Sequence, residues 1–126
     1  MLRINMVDCL HKPMEKKTDS RIELLQGTLD LMILRTLLFG PSHGHAVAKH
    51  IRAASADVLQ VETGSLYPAL HRLEARGWIE AEWRISDKGK NAKFYRLTRT
   101  GRKQLVAEQS RWDELSAAIG RVLRPA

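Results

Sequence analysis

The feature that most constrains the fold of this chain is a change of hydrophobic period at Gly77. Before this residue, Leu66, Leu70 and Leu73 lie at positions i, i+4 and i+7, which is the spacing of one face of an α-helix. After it, residues 79–85 alternate between apolar and charged side chains, which is the period of a half-buried β-strand. A helix must therefore end at Gly77, since glycine commonly follows the last helical turn, and a strand must begin directly after it.

The start of this helix is constrained by Pro68. Proline lacks a backbone N–H, so a helix tolerates it in the first turn, where the amides have no intrahelical partner. Thr63 and Ser65 precede it and are the candidate N-caps, because a hydroxyl oxygen can accept a hydrogen bond from a free backbone N–H. We therefore predict that the helix starts near Thr63 and that Pro68 lies in about its first turn.

Two helices are predicted before this one. Residues 22–39 are apolar on nearly every side of a helical projection, which is typical of a buried helix. Asp30 and Arg35 within it either pair with groups on other elements or lie where the helix reaches solvent. A second helix is predicted over 43–55, with Ser42 as the residue that caps it.

A β-hairpin and a long helix are predicted after it. The turn-forming residues of 86–93 lead into a second strand, in which Tyr95 and Leu97 are expected to point inward. Thr98 or Thr100 is then expected to cap a last helix of about 24 residues, which is roughly 36 Å long.

The last helix, which is predicted to end near Leu123, carries an apolar seam with a heptad pattern. Such a seam is typical of a helix that packs along a second helix. Because the helix is longer than the core of a small domain needs, we expect a homodimer; the alternative is that the helix folds back over its own core. The residues assigned to the dimer seam are Leu105, Trp112, Leu115, Ile119 and Val122.

The charge of the chain indicates the class of its partner. The 126 residues include 21 Lys and Arg against 14 Asp and Glu, so the net charge of +7 favours a polyanion such as nucleic acid or an anionic membrane surface. The single cysteine, Cys9, cannot form an internal disulfide, and no apolar run approaches the ~20 residues that span a bilayer. The first residues lack the pattern of a secretory signal. We therefore expect a cytoplasmic, globular protein with no membrane partner.

The predicted order of elements is helix, helix, helix, hairpin and long helix. This order indicates a mainly α (α+β) fold, a winged helix-turn-helix with a two-stranded β wing and a long C-terminal dimerisation helix. Residues 1–20 are expected to form a mobile N-terminal tail, 21–98 the DNA-binding domain and 99–126 the dimerisation helix. Met14 is an alternative to Met1 as the start of translation.

The polar face of 64–79 gains a role in this fold, because the second helix of a helix-turn-helix enters the major groove of DNA. Its small residues, among them Ala69, allow close approach, its arginines can reach a phosphate or a guanine edge, and lysines at the hairpin tip suit the phosphate backbone. Alternatively, the arginines are only a solvated face, the tyrosine is half core and the lysines only aid solubility. The candidate DNA-binding residues are Thr63, Ser65, Tyr67, Arg72, Arg76, Lys88, Lys90 and Lys93.

Four segments resemble the PadR family of bacterial transcriptional regulators. They are LLQGTLDLMILRTL, HGHAVAKHI, TGSLYPALHRLEARGWIEAEW and AKFYRLTRTGRKQL, and the resemblance spans about residues 24–118. It implies a dimeric winged helix-turn-helix protein that most often represses genes by binding a palindromic operator. The chain has one C-terminal helix, which is short for this family, so it resembles the shorter subgroup. The resemblance also implies that Ser65 and Tyr67 contact DNA and that the helix over 100–123, with help from the N-terminal helix, forms the dimer.

The resemblance also bears on a small-molecule effector. Members of the family often have an aromatic residue where this chain has His45, and in some of them that region lies near an effector pocket. In some relatives, tryptophans near the dimer centre stack on flat ligands, and Trp112 is the candidate for that role. The resemblance therefore implies a candidate effector pocket at His45 and Trp112, for an unidentified ligand.

No pattern indicates catalysis, a metal or a cofactor. The chain has no nucleophile motif, glycine-rich phosphate loop or catalytic carboxylate pair. His43 and His50 share a helix face but stand about 10 Å apart, and no carboxylate or cysteine pair completes a zinc site. We predict a sequence-specific DNA-binding repressor, not an enzyme. The alternatives are a small-molecule-sensing or protein-interaction module with the same fold, and a non-specific DNA binder.

Overall fold

A computed structural model of the chain describes residues 27–85 and 87–124. The expectations for the tail over 1–20, including the alternative start at Met14, lie outside these residues. Within them the chain forms four helices and three strands. These elements are α1 (27–37 in the described part), β1 (Ser42–His43), α2 (Gly44–Ala54), α3 (Thr63–Ala75), β2 (Ile79–Ile85), β3 (Asn91–Leu97) and α4 (Arg99–Leu123).

The mainly α winged helix-turn-helix architecture is confirmed, with one correction to its sheet. We predicted a two-stranded hairpin, but the antiparallel sheet has three strands in the order β1-β3-β2. Ser42 and His43 pair with Tyr95 and Phe94 along the outer side of β3. Two residues are too few to show an alternation of apolar and polar side chains, so the sequence could not predict this strand.

The start of α2 also differs from the prediction. Ser42 lies in β1 and does not cap the helix. The N-cap is His43, whose Nδ1 accepts a hydrogen bond from the backbone N–H of Ala46 at 3.1 Å. An imidazole nitrogen therefore replaces the expected hydroxyl oxygen as the acceptor for an amide of the first turn.

The helix α3 starts at Thr63, as predicted, but neither Thr63 nor Ser65 is its N-cap. Glu62 is the N-cap, and its side chain makes no capping hydrogen bond; Thr63 is already helical. The Glu62 carbonyl instead accepts the amides of Ser65 and Leu66, at 3.0 and 2.9 Å. Pro68 consequently lies in the second turn, where its ring removes the amide that would bond to the carbonyl of Gly64.

The core forms where α1, α2 and α3 meet. The predicted apolar face of α3 is confirmed, since Leu66, Leu70 and Leu73 are at most 1% exposed. The predicted stop of α3 is also confirmed: Gly77 has a φ of +77°, the left-handed conformation that favours glycine. The other buried apolar residues are Leu29, Ile33, Leu34, Leu37, Val47, Ile51, Ala69, Ile79, Tyr95 and Leu105.

The hairpin of β2, β3 and the turn between them, which we call the wing, is buried only at its base. Ile79 and Tyr95 are in the core, and Tyr95 is inward as predicted. Trp83 and Ile85, however, are 69% and 72% exposed, which contradicts a strand that is half-buried along its whole length. The alternation in β2 continues past the residues that α3 covers, so its apolar face projects into solvent.

The long helix α4 begins and ends as predicted. Thr98 is its N-cap, with Oγ1 accepting the Gly101 N–H at 3.0 Å. The assignment of Leu105 to the dimer seam is corrected: Leu105 is 4% exposed and packs in the core of its own chain. The other four seam residues, Trp112, Leu115, Ile119 and Val122, are between 43% and 82% exposed. Among the described residues, no helix combines the length and apolar character needed to cross a membrane.

Candidate nucleic-acid interface

An open cleft of about 830 Å³ lies between the start of α2, Tyr67 of α3 and the wing. We call it the wing cleft. Three elements meet there because β1 joins the start of α2 to the outer side of β3. The residues that line it and carry its chemistry are His43, Gly44, His45, Lys49, Tyr67, Trp83, Lys88, Lys90, Lys93 and Phe94.

The wing cleft is cationic. Lys49, Lys88 and Lys90 line it and form no ion pair with any residue that the structure describes, while Asp87 is the acidic residue at its rim. Lys93 is less available, because its Nζ lies 3.5 Å from Oε1 of Glu74 and 5.6 Å from the centre of the Tyr95 ring. An excess of unpaired ammonium groups around a concave surface attracts polyanions.

Tyr67 both packs and remains accessible. A Cβ at Gly44 would lie 2.8 Å from Cε1 of the Tyr67 ring, so only glycine allows this ring to lie against α2. Tyr67 is still 46% exposed. One edge of the ring is therefore packed, as in the half-core interpretation, and the rest faces the wing cleft, while its contact with DNA stays a prediction.

The outward face of α3 differs from the predicted one. Its exposed residues are Thr63, Gly64, Ser65, Tyr67, Pro68, His71, Ala75 and Arg76. The small residue Ala69 is fully buried, and Arg72 is only half-exposed, so neither lies where close approach to DNA would use it. His71 occupies the outward position instead. The sequence reasoning missed it because it placed the polar face one residue too far along the helix.

Arg72 is turned toward α1. Its Nη2 donates to Oδ1 of Asp30 at 2.9 Å, and the two side chains are 28% and 14% exposed. Of the two roles considered for Asp30, pairing with another element is therefore the correct one. An ionised carboxylate in a helix with so many apolar neighbours requires a cationic partner, and Arg72 supplies it.

Burial and the neighbouring Arg72 shift the pKa of the Asp30 carboxyl in opposite directions. Burial raises its pKa above the ordinary 3.8, because it disfavours the charged form. The charge of Arg72 and its hydrogen bond lower the pKa, and they offset only part of the effect of burial.

Arg76 remains on the surface beside α3. Its guanidinium carbon lies 5.0 Å from the centre of the Trp78 ring, which restrains the side chain without neutralising its charge. Thr63 and Ser65 are exposed at the start of the same helix. The predicted candidates thus divide into exposed groups, the half-buried Lys93, which pairs with Glu74, and Arg72, which pairs with α1.

The two residues predicted to form an effector pocket are not brought together within the chain. His45 lines the wing cleft, where its ring stacks on His43 at 6.4 Å between centres. Trp112 lies in a separate apolar groove of about 180 Å³ between α1 and α4, beside Leu31 and Leu115. No group of three metal-binding side chains occurs among the described residues.

Besides His71, which does not line the wing cleft, sequence reasoning missed several residues of the cleft itself. His43 was considered only as a metal ligand, Lys49 was not singled out, and Trp83 was expected on the buried face of a half-buried strand. The length of the strand could have predicted the exposure of Trp83, because a strand of seven residues is longer than one helix of this core can cover. Its exposure nevertheless depends on where α3 ends relative to the wing.

Comparison with known proteins agrees with this geometry. Residues 33–107 match the family described as "Transcriptional regulator PadR-like family". A transcriptional regulator of Mycobacterium tuberculosis is 40% identical over 60 residues, which are 48% of this chain and 55% of that protein. A transcriptional regulator structure from Clostridium thermocellum has 26% identity and a TM-score of 0.74, covering 81% of this chain and 99% of that one. A PadR family regulator from Eggerthella lenta has 28% identity and a TM-score of 0.69, covering 90% and 98%.

Proposed function

Because the chain belongs to the PadR-like family, whose members are transcriptional regulators and not enzymes, we propose that it binds double-stranded DNA in a sequence-specific manner. It acts most simply as a repressor, in the form of a homodimer on a palindromic operator. The observation that carries the proposal is the wing cleft, in which unpaired lysines surround aromatic rings directly beside the outward face of α3.

In this proposal, α3 enters the major groove and the wing follows the adjacent backbone. Ser65 and Tyr67 are the proposed contacts to base edges, and their exposure near the N-terminal end of α3 supports this role. Lys88 and Lys90 contact phosphates and contribute affinity that does not depend on sequence. Arg72 is left out of the DNA contacts, since its guanidinium is paired with Asp30.

The homodimer is supported by the apolar stripe of α4. Trp112, Leu115, Ile119 and Val122 stay at least 43% exposed in the single chain, and their heptad spacing fits a partner helix of the same sequence. In a twofold dimer formed by this helix, the two copies of α3 should face one side of the duplex. Their spacing should be close to one helical turn of DNA, about 34 Å.

The test is a titration of the protein against the duplex upstream of its own gene, at two salt concentrations, with scrambled duplex as competitor. Binding that survives the competitor is expected. Tyr67→Phe keeps the ring against Gly44 but removes the hydroxyl, so it should weaken the operator complex more than the scrambled one. Equal binding of both duplexes by the unmodified protein would instead identify a non-specific DNA binder.

Lysine variants separate backbone contacts from sequence reading. Lys90→Ala should weaken binding to every duplex alike and reduce the dependence of log affinity on log salt by about one unit. Lys103→Ala is the matched control, because it removes the same charge from an exposed site on α4 outside the wing cleft. If both variants reduced the salt dependence equally, net charge would explain the binding and the wing would have no specific role.

Effector sensing is a second proposal, supported by the apolar groove between α1 and α4. Its mostly apolar lining and the half-exposed ring of Trp112 suit a small flat compound. Quenching of tryptophan fluorescence by an aromatic compound, lost in Trp112→Phe, is the expected result. Quenching that persists in Trp112→Phe would place the ligand at Trp78 or Trp83 instead.

A further inference from the structure

Trp83 is a large apolar side chain without cover. It is 69% exposed in the middle of β2, and Ile85 on the same face of the strand is 72% exposed. An exposed indole forgoes the free energy that burial of a large aromatic side chain normally provides. The packing of the described chain therefore does not account for a tryptophan at this position.

The register of the sheet fixes where Trp83 points. Trp83 of β2 lies directly opposite Lys93 of β3. The next pair on the same face, toward the base of the wing, is formed by Ala81 of β2 and Tyr95 of β3. Tyr95 is buried under the helices, so this is the face of the wing that continues from the core. Trp83 accordingly lines the wing cleft together with Tyr67.

The charges around Trp83 indicate what covers it. The cleft that it lines also holds Lys49, Lys88 and Lys90, whose ammonium groups form no ion pair with a described residue. A partner that fits must present flat apolar surface between closely spaced negative charges. DNA has this chemistry, because sugar and base edges alternate with phosphates along each strand.

We propose that the indole of Trp83 packs against the sugar and base edges of duplex DNA beside the phosphates that the wing lysines contact. This inference rests on the proposed function and deepens it by assigning an apolar contact to the wing. Side chains that contact the groove in this way add affinity through buried apolar area, so their contribution does not involve counterion release. The wing therefore carries two kinds of contact, one that salt weakens and one that salt does not.

The first arm of the test removes the ring. Trp83→Ala should weaken binding of the operator duplex by roughly tenfold, within the range measured for aromatic contacts to nucleic acid, and should leave the salt dependence unchanged. Trp83→Phe should recover much of the affinity because it keeps a flat ring. Phe39→Ala is the matched control, since Phe39 is an aromatic residue of similar exposure, 71%, that does not line the wing cleft.

The second arm observes the ring directly. In Trp78→Phe/Trp112→Phe protein, Trp83 is the one remaining tryptophan, and its emission should be quenched or shifted when duplex is added. Binding is followed independently by the anisotropy of labelled duplex. Trp83→Ala in the otherwise unchanged chain provides the same answer should the double substitution impair folding, because Trp83 is exposed.

The outcomes separate this inference from the proposed function. Duplex binding with unchanged Trp83 emission and unchanged affinity of Trp83→Ala would overturn the inference and leave DNA binding intact. Absence of duplex binding in the unmodified protein would overturn both. A Trp83→Ala variant that binds DNA normally but loses a protein partner would assign the exposed ring to protein recognition and would also overturn the inference.

Discussion

At the scale of single residues, Arg72 illustrates how packing reassigns a side chain. Its spacing with Ser65 and Arg76 placed it on a DNA-facing surface, yet it bonds to Asp30 at 2.9 Å. The apolar face of α3 and the predicted polar face are adjacent, so a small rotation of the helix brings Arg72 against α1. Once Asp30 is near, the cost of leaving its carboxylate unpaired holds the guanidinium there.

Arg72→Ala should therefore act mainly on stability. The substitution leaves a largely buried carboxylate without its partner, so we expect the free energy of unfolding to fall by about 1–3 kcal/mol. Arg52→Ala is the matched control, because Arg52 and Asp57 form an ion pair at 3.2 Å that is 58% and 73% exposed, and such pairs contribute about 0–1 kcal/mol. Urea denaturation measures both. An equal loss of unfolding free energy in the two variants would show that the Asp30–Arg72 pair stabilises the fold no more than an exposed ion pair does.

The Asp30 carboxyl should also affect the dependence of stability on pH. Its pKa in the folded chain is raised above 3.8 by burial, so the folded state binds this proton at a pH where the unfolded state has released it. The contribution of Asp30 is therefore most favourable at low pH and decreases as pH rises just above 3.8. Asp30→Asn should remove this decrease, measured as the free energy of unfolding across that range. Identical pH profiles for the two proteins would contradict the assignment.

At the scale of elements, the join between α3, β2 and α4 depends on one close approach. The Thr98 hydroxyl caps α4 and lies 2.7 Å from the Gly77 carbonyl and 3.0 Å from that of Trp78. Gly101, in the first turn of α4, packs directly against the Trp78 carbonyl. This contact holds the end of α3 and the base of the wing against the start of α4, which sets the position of the wing relative to α3.

Gly101→Ala should consequently destabilise the fold despite the higher helix propensity of alanine. A Cβ at this position would overlap the carbonyl oxygen of Trp78, and overpacking of this kind costs about 1–3 kcal/mol. Gly120→Ala, in the same helix, meets nothing within 4 Å and should stabilise by up to about 1 kcal/mol. Thermal denaturation compares the two. A gain of thermal stability in both variants would mean that the backbone at Trp78 moves to accommodate the added Cβ at little cost.

At the scale of the whole molecule, α4 divides into two parts. Its first turns pack in the core, where Leu105 is 4% exposed, while the apolar residues of its remainder, among them Leu115 and Val122, stay largely exposed. A heptad pattern alone cannot separate these roles, because the same spacing serves contact with the chain's own core and with a partner helix. The position of α3 and the wing beneath the start of α4 decides which apolar residues of α4 are buried within the chain and which stay exposed.

Two leucine substitutions should distinguish the parts of α4. Leu105→Ala should lower the stability of the domain by about 2–5 kcal/mol, as expected for a buried leucine. Leu115→Ala should leave the domain folded and weaken self-association, because Leu115 is 47% exposed in the single chain. Sedimentation at several protein concentrations, together with circular dichroism, measures both effects. A Leu115→Ala protein that associates as strongly as the unmodified one would place the dimer contact elsewhere.

The sequence by itself determined the order of the helices and the hairpin, the apolar face of α3 and its stop at Gly77, and it restricted the cap of α4 to Thr98 or Thr100. These features follow from interactions between residues close in the chain, and such interactions leave a periodic or positional pattern. Only the tertiary structure decided that Arg72 pairs with Asp30, that β1 joins the sheet, that Leu105 is core and that Trp83 is exposed. Each of these depends on the distance between segments far apart in sequence, which the relative placement of packed elements sets and no local period records.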